Sequence, residues 1–355
     1  MYSGDSAVPD DDPDGRCNRR GKPRFPSGCS ERSWRLKVRR WQIWQFYDGK
    51  AGHENQSRGL IEALARLQPI TTLMLLPLPT TKALAGLIYD YLAGWRDLPA
   101  PDLLLGAGHH THLSLLAARR VRGGKALVLM RPSLPLQLFD LCLIPEHDTP
   151  PNYPNVLATR GALNRILPSA TLKSDRGLLL IGGPSAHFAW NDANVCQQIA
   201  AIITADPVTH WTLTTSRRTP SSFLEAFPDV SNPQLTVVPV TQTGPDWLPD
   251  QLACTGQVWV TADSMSMVYE ALTAGAAVGV LEVPQQCDNR ISRELDRLTD
   301  DGWVTLFTDW QRDRQLHPLA QTFCEAERCA RWIVDRWSVV RWRWRENWFD
   351  AATAQ

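Results

Sequence analysis

The sequence lacks several features that would place it in a specialised class. It has no net charge, with 37 basic and 37 acidic residues among 355, so no global field draws it to nucleic acid. Its eight cysteines include no Cys-x-x-Cys pair, which favours a cytosolic protein with reduced thiols over a disulfide framework or a zinc site. No apolar run reaches the roughly 18 residues that cross a membrane, and no apolar core of a secretory signal follows the N-terminus. We therefore expect a cytoplasmic protein that binds no nucleic acid.

Residues 1–38 differ in composition from the rest of the chain. Five Asp among the first fourteen residues give way to ten Arg and Lys between Arg16 and Arg40, with few apolar residues. Such a segment cannot bury enough apolar surface to fold alone, so we predict that residues 1–38 are disordered.

From Trp41 onward, apolar strand-like runs alternate with helical segments. This alternation is typical of parallel sheets with helical crossovers. We predict an α/β fold of two Rossmann-like domains around a central cleft, at residues 39–168 and 169–318, joined by a polar linker over 168–176. Residues 319–355 are predicted to form a C-terminal helix and tail.

A polar turn, DGKAGHENQ, follows the first predicted strand and opens a helix. Its glycines permit tight turns, and free N–H groups at a helix start favour anionic or polar ligands. Because histidine titrates near neutral pH, His53 is the first choice as a general base and Asp48 the second. Gly52, Asn55 and Gln56 are expected to contact an acceptor. A helix capped only by polar side chains is the alternative.

A second turn, GAGHHTH, follows the third predicted strand. Gly108 allows close approach, and we expect it to contact the acceptor together with His109 and His110. The adjacent histidines resemble a metal pair, but neighbouring side chains on a helix point about 100° apart, and no third ligand has a suitable spacing. We therefore expect no metal and no cofactor. A plain strand–helix turn is the alternative.

Two turns in the second half follow strands, where α/β sheets present ligands. The turn GGPSAH supplies Gly182 and Gly183 as donor contacts, with an ordinary tight turn as the alternative. The turn SRRT supplies Ser216, Arg217 and Arg218, whose hydroxyl and guanidinium groups match phosphate oxygens. The alternative for this turn is a solvated basic loop.

The segment DSMSMVYEA gives the strongest signal for a donor site. Asp263, Ser264, Met265 and Ser266 form a helix start that would hold a diphosphate. Glu270, four residues beyond Ser266, can accept two hydrogen bonds from a ribose diol. The alternative is a capped amphipathic helix with Asp263 as its N-cap.

These motifs, together with LLIGGPS, resemble the bacterial members of the mitochondrial fission protein family, named for elongated mitochondria in plants, over roughly residues 41–310. The resemblance implies the GT-B fold of inverting glycosyltransferases. GKAGH and SMSMVYEAL are similar to the glycine-rich loop and the donor loop of the enzyme that adds N-acetylglucosamine to lipid-linked peptidoglycan precursors. The following CDNR is loosely similar to the next donor loop, which adds Asn289 to the donor contacts. Since Ser264 to Ser266 replace a glycine-rich turn, the donor's identity does not carry over.

The resemblance implies an inverting, metal-independent transfer of a sugar from a nucleotide-sugar to an envelope or lipid-linked glycan. Two alternatives remain open. A nucleotide-sugar 2-epimerase shares the architecture, although its several cleft carboxylates are not evident. A non-catalytic scaffold, as the family name suggests, would not need the side chains of His53 and Glu270.

Five apolar residues near the C-terminus are spaced 4, 3, 4 and 4 apart, which predicts one stripe on a helix between Gln321 and Phe349: Ile333, Trp337, Val340, Trp344 and Trp348. The helix either packs back on the N-terminal domain or lies against anionic lipid at the inner face of the cytoplasmic membrane, where tryptophan and arginine are favoured.

Overall fold

The computed structural model describes residues 39–89, 94–227, 232–286, 290–319 and 321–338. The predicted disordered segment 1–38 lies outside the described residues, as do Asn289 and three members of the C-terminal stripe, Val340, Trp344 and Trp348. Within the described ranges, no helix is both long enough and apolar enough to cross a membrane.

The first half of the chain forms a six-stranded parallel sheet in the order β2-β1-β3-β4-β5-β6. Its strands and helices are β1 (Trp41–Phe46), α1 (Ala51–Leu67), β2 (Ile70–Leu75), α2 (Thr80–Tyr89), β3 (Leu103–Ala107), α3 (His112–Arg122), β4 (Lys125–Leu129), β5 (Leu141–Pro145) and β6 (Val156–Thr159).

The second half forms another six-stranded parallel sheet, in the order β12-β11-β10-β7-β8-β9. Its elements are β7 (Lys173–Ile181), α4 (Asp192–Ala205), β8 (His210–Thr215), α5 (Ser221–Ala226), β9 (Leu235–Val238), α6 (Trp247–Leu252), β10 (Thr255–Thr261), α7 (Met265–Ala274), β11 (Ala277–Leu281), α8 (Arg290–Asp300), β12 (Thr305–Leu306), α9 (Phe307–Asp313) and α10 (Glu325–Ser338). The prediction of two Rossmann-like domains in a GT-B-like arrangement is confirmed, since parallel strands alternate with helices in both halves.

The first sheet is covered on both faces. Ile43 packs into the apolar cluster beneath α1, whereas its neighbour Trp44 packs into the cluster on the opposite face with residues of α2 and α3. This separation follows from the strand geometry, because successive side chains point to opposite faces of a sheet. The near-continuous apolar runs of the sequence therefore correspond to strands that are buried on both sides.

The C-terminal helix α10 covers the α1 face of the first sheet. Cys329 and Ile333 are fully buried in the cluster that contains α1, and Trp337 packs at its edge. The described part of the predicted stripe therefore faces the protein core. The helix begins at Glu325, four residues later than the predicted start at Gln321.

The polar segment predicted as a linker over 168–176 is partly a strand. Strand β7 begins at Lys173, which pairs with Thr255, and Arg176 pairs with His210. Residues 173–176 are exposed, so this end of the strand has no apolar side chains that could have distinguished it from a loop.

A short segment after β6 joins the two halves. The side-chain amide of buried Asn164 donates to the carbonyl oxygen of Tyr269 (3.3 Å) and to the hydroxyl of Thr273 (3.0 Å), both on α7. On its other side the segment lies against α1, where a Cβ on Gly59 would overlap the Asn164 carbonyl. Arg165 adds an ion pair to Glu62 of α1 at 2.8 Å. This segment therefore sets the separation of α1 and α7.

We predict that Gly59→Ala lowers the free energy of unfolding by about 1–3 kcal/mol, because an added methyl group at this close backbone contact forces α1 away from Asn164. Gly52→Ala in the same helix is the matched control, since a Cβ there has no neighbour within 4 Å. Urea denaturation of both variants measures the difference. Equal loss of stability in the two variants would contradict the close packing at Gly59.

Candidate functional site

A cavity of about 320 Å³ lies between the start of α1 and the start of α7. It brings together residues that the sequence analysis placed in two different motifs. Its lining includes three predicted acceptor contacts and three predicted donor contacts: Gly52, Asn55, Gln56, Arg217, Ser266 and Glu270.

One hydrogen bond crosses this cavity. The side-chain amide of Asn55 donates to Oε1 of Glu270 over 2.8 Å. Burial raises the pKa of Glu270 to about 7, although the hydrogen bond from Asn55 favours the ionised form. Near neutral pH this carboxyl group therefore exists in both protonation states.

Asp48 and His53 form a pair at the start of α1. Nδ1 of His53 lies 2.9 Å from Oδ2 of Asp48, whose side chain is only 3% exposed. Burial acts to raise the pKa of Asp48, but hydrogen bonds from His53 and the Lys50 backbone outweigh it and hold the pKa below its usual value. Since an ionised carboxylate only accepts, we assign the proton to Nδ1 of His53, which leaves Nε2 as a free acceptor.

The two glycine-containing turns of the first half meet at this pair. Gly108 has a φ of +83°, and a Cβ there would lie 2.5 Å from Cε1 of His53. Glycine is therefore required for both its backbone conformation and its close approach. His109 and His110 are exposed beyond it, with ring centroids 3.9 Å apart. In the described residues, no group of three or more His, Cys, Asp or Glu side chains is arranged to hold a metal.

Gln56 lies between the cavity and the end of β4. Its amide contacts the sulfur of Met130 at 3.7 Å, and Met130 has a φ of +66°, which is uncommon for a residue other than glycine. The first-half motifs therefore lie together at the carboxyl ends of β1, β3 and β4, the edge at which such sheets present ligands.

The predicted donor turns form a separate polar network. Nη2 of Arg218 donates to Oδ2 of Asp263 (2.7 Å) and to the hydroxyl of Ser264 (3.0 Å), and its Nη1 donates to the Gly183 carbonyl (3.0 Å). The side chain of Asp263 is fully buried. Both arginines are exposed, but Arg218 uses its donors within the protein, whereas the adjacent Arg217 lines the cavity.

The remaining predicted donor contacts support this network. Gly182 donates its N–H to the hydroxyl of Thr261 (2.8 Å) and accepts from the hydroxyl of Ser216 (2.9 Å). Ser264 is the N-cap residue of α7, so the alternative that Asp263 caps this helix is wrong. Met265 packs against the core of the second sheet.

Sequence reasoning missed the wall that the connecting segment supplies. Residues 162–166 line the cavity, together with Pro245, Leu248 and Pro249 of the second half. They carry no glycine- or hydroxyl-rich pattern. The available signal was the position of RGALN directly after a strand, which the other site turns share.

A family model, mitochondrial fission ELM1, matches residues 51–337, which is most of the chain. The chain belongs to the mitochondrial fission ELM1 family. The predicted family resemblance is thereby confirmed, and the match extends from the start of α1 into α10. No curated protein sequence matches the chain.

Solved structures of this fold include nucleotide-sugar enzymes. A Listeria monocytogenes protein described as a UDP-N-acetylglucosamine 2-epimerase is 10% identical, with a TM-score of 0.55 over 83% of this chain and 95% of that chain. Another UDP-N-acetylglucosamine 2-epimerase is 13% identical, with a TM-score of 0.53 over 84% and 95%. The calicheamicin glycosyltransferase CalG4 is 14% identical, with a TM-score of 0.44 over 89% and 100%. At these identities the likeness to the two epimerase structures shows the fold of the ELM1 chain alone.

We predict that Glu270→Gln removes a pH dependence of stability. The pKa of Glu270 is raised from the ordinary 4.5 to about 7, so the folded protein keeps a proton that the unfolded chain releases. The free energy of unfolding therefore falls, by at most about 3 kcal/mol, as the pH rises from the ordinary pKa of glutamate to that of folded Glu270. Glutamine still accepts from Asn55 but does not titrate.

Melting temperatures of wild type and Glu270→Gln should be similar near pH 5, and the variant should melt higher at pH 8. The exposed Glu225→Gln is the control and should match wild type at both values. A melting-temperature difference between Glu270→Gln and wild type that is constant from pH 5 to pH 8 would refute the raised pKa.

Proposed function

We propose that this protein is an inverting, metal-independent glycosyltransferase that moves a sugar from a nucleotide-sugar to a hydroxyl of an envelope or lipid-linked glycan. The observation that carries the proposal is the cavity, in which Asn55 of α1 meets Glu270 of α7. The fold and the family agree with a sugar-handling role. A cleft between two Rossmann-like domains is a common place for ligands to bind.

The Asp48–His53 pair provides the base. With its Nδ1–H held by Asp48, His53 presents Nε2 to remove the proton of an acceptor hydroxyl. Asp48 thus orients the imidazole and stabilises its protonated form. A buried carboxylate suits this role better than that of the base that removes the acceptor proton directly. The acceptor oxygen then attacks the anomeric carbon from the face opposite the leaving group. Gly108, His109, His110 and Gln56 would border the acceptor.

The donor would lie against α7. Glu270 would accept hydrogen bonds from the ribose diol, and Arg217 and Ser266 would contact the phosphate. The departing phosphate oxygen takes the electron pair of the bond to the anomeric carbon. A guanidinium at that position stabilises the charge as it develops.

A 2-epimerase is the second candidate. A carboxyl group with a pKa of about 7, such as Glu270, suits proton transfer to and from a sugar carbon at neutral pH. However, Glu270 is the only carboxylate among the described residues of the cavity wall. The epimerase reaction removes a proton from a sugar carbon and returns one to it, and these two steps commonly use more than one acid–base group.

A non-catalytic scaffold is the third possibility, and it should bind no nucleotide-sugar.

We predict that His53→Ala lowers turnover by roughly 10²–10⁴-fold and leaves donor affinity nearly unchanged, because it removes the base alone. Calorimetry with UDP-, GDP- and CMP-sugars first identifies the donor, and NMR of the incubated sugar reports transfer or epimerisation. His317→Ala, on an exposed histidine outside the site, is the control and should retain wild-type turnover. Wild-type turnover in His53→Ala would exclude His53 as the base, and loss of donor binding would place it in the donor subsite.

A lipid-linked acceptor would require contact with the membrane. We propose that the residues after Ser338 make this membrane contact on the inner face of the cytoplasmic membrane. They include Trp344, Trp348 and several arginines. A chain ending at Ser338 keeps α10 in the core and removes only this segment.

We predict that the full chain sediments with anionic vesicles at low salt and that the shortened chain does not. Because attraction to charged lipid is screened within about 10 Å at 0.1 M salt, binding should fall as salt rises. Neutral vesicles are the control. Equal sedimentation of both chains would rule out this segment as the membrane contact.

A further inference from the structure

The described cavity wall offers one unpaired cation. Its charged residues are Arg165, Arg217 and Glu270. Arg165 is already in ion pairs with Glu62 at 2.8 Å and Asp246 at 3.4 Å. The side chain of Arg217 is exposed and has no hydrogen bond or ion pair to any described residue.

The start of α1 at the cavity already faces a carboxylate of this chain. The start of α1 follows Asp48, which accepts from the Lys50 N–H at 3.3 Å, and the start of α7 follows Asp263. The two carboxylate side chains are 3% and 0% exposed. A helix N-terminus carries about half a positive charge, which the carboxylate of Asp48 offsets at the start of α1, whereas Asp263 is itself balanced by Arg218.

Arg218 cannot supply a second free positive charge for a ligand. Its guanidinium holds Asp263, and Oδ1 of that carboxylate is buried without a hydrogen-bond partner among the described residues. Moving Arg218 to a ligand would leave a fully buried carboxylate without its counter-ion, which is strongly unfavourable. The guanidinium of Arg218, although partly exposed, is therefore committed to Asp263, and Arg217 is the cation left for a ligand.

We infer that the cleft takes a sugar carried on a single phosphate ester rather than on a diphosphate. This inference rests on the proposed function. One phosphodiester charge is matched by Arg217, whereas the described cavity wall has no unpaired cation for the second charge of a diphosphate. Glu270 favours a nucleoside as the carrier, because a ribose diol is a suitable partner for a carboxylate.

The transfer step balances with this donor. The acceptor oxygen forms a bond to the anomeric carbon as its proton passes to Nε2 of His53. The bond from that carbon to the phosphate oxygen breaks, and its electron pair stays on the oxygen. The nucleoside monophosphate leaves with one more negative charge than it carried as the ester, next to Arg217.

Calorimetry on the full chain with CMP, CDP, UMP and UDP tests the inference. For the preferred base, the monophosphate should bind at least as tightly as the diphosphate. Arg217→Gln should weaken monophosphate binding about tenfold or more, the usual loss for a hydrogen bond to a charged group. Arg217→Lys should recover part of it, and Arg66→Gln, on an exposed arginine at the far end of α1, should bind as wild type does.

Geranyl phosphate separates a lipid carrier from a nucleoside carrier. If geranyl phosphate binds in an Arg217-dependent manner and the nucleotides do not bind, the site still takes a single phosphate ester, and the carrier of the sugar is a lipid. Diphosphates that bind tenfold tighter than monophosphates would overturn the inference while the proposed function stands. Absence of binding by all five probes, and by GMP and GDP as well, would overturn both.

Discussion

The buried amide of Asn164 is the contact on which the geometry of the cleft depends. It joins the segment after β6 to α7 through Tyr269 and Thr273, and the same segment lies against Gly59 of α1. A buried amide requires hydrogen-bond partners, because an unsatisfied one costs about 1–3 kcal/mol. This requirement fixes α1 and α7 at one separation. The bond between Asn55 and Glu270 forms at the open end of the same helix pair.

The carboxylates at the two helix starts have different partners, and this difference separates their roles. Asp263 is held by a guanidinium, a backbone N–H and a hydroxyl, so it acts as a fixed internal anion that joins the turns after β7, β8 and β10. Asp48 is held chiefly by the imidazole of His53, a side chain of the kind most often used in general acid–base catalysis. Only the second arrangement couples a buried carboxylate to a group that can exchange a proton with a ligand.

The fold was predictable because its strands are apolar runs buried on both faces; polar strand ends such as residues 173–176 and the two-residue strand β12 escaped recognition. Helices α5 and α6, with six residues each, are too short to show a helical period and were not predicted. The motifs of the candidate site could be found because glycine and hydroxyl residues cluster after strands.

Which member of a motif faces the cleft could not be read from the sequence. Arg217 and Arg218 are adjacent and chemically identical, and their different environments arise because Asp263, 45 residues after Arg218, lies within reach of only the latter. Likewise, nothing local to Asn55 indicates that its partner is Glu270, 215 residues away. Tertiary contacts of this separation decide between structural and ligand-facing roles, whereas composition and spacing identify only the motif.

The bond between Asn55 and Glu270 also sets a condition on ligand binding. A diol that uses both oxygens of Glu270 either shares Oε1 with the Asn55 amide or displaces it, and displacement releases one of the contacts between α1 and α7. A ligand that uses Oε2 alone leaves the bond in place and keeps the helices together. Coupling between two binding events is reciprocal. If a first ligand separates α1 from α7 and thereby changes the affinity for the acceptor by some factor, the acceptor changes the affinity for the first ligand by the same factor. The hydrogen bond between Asn55 and Glu270 would therefore link the proposed donor and acceptor subsites.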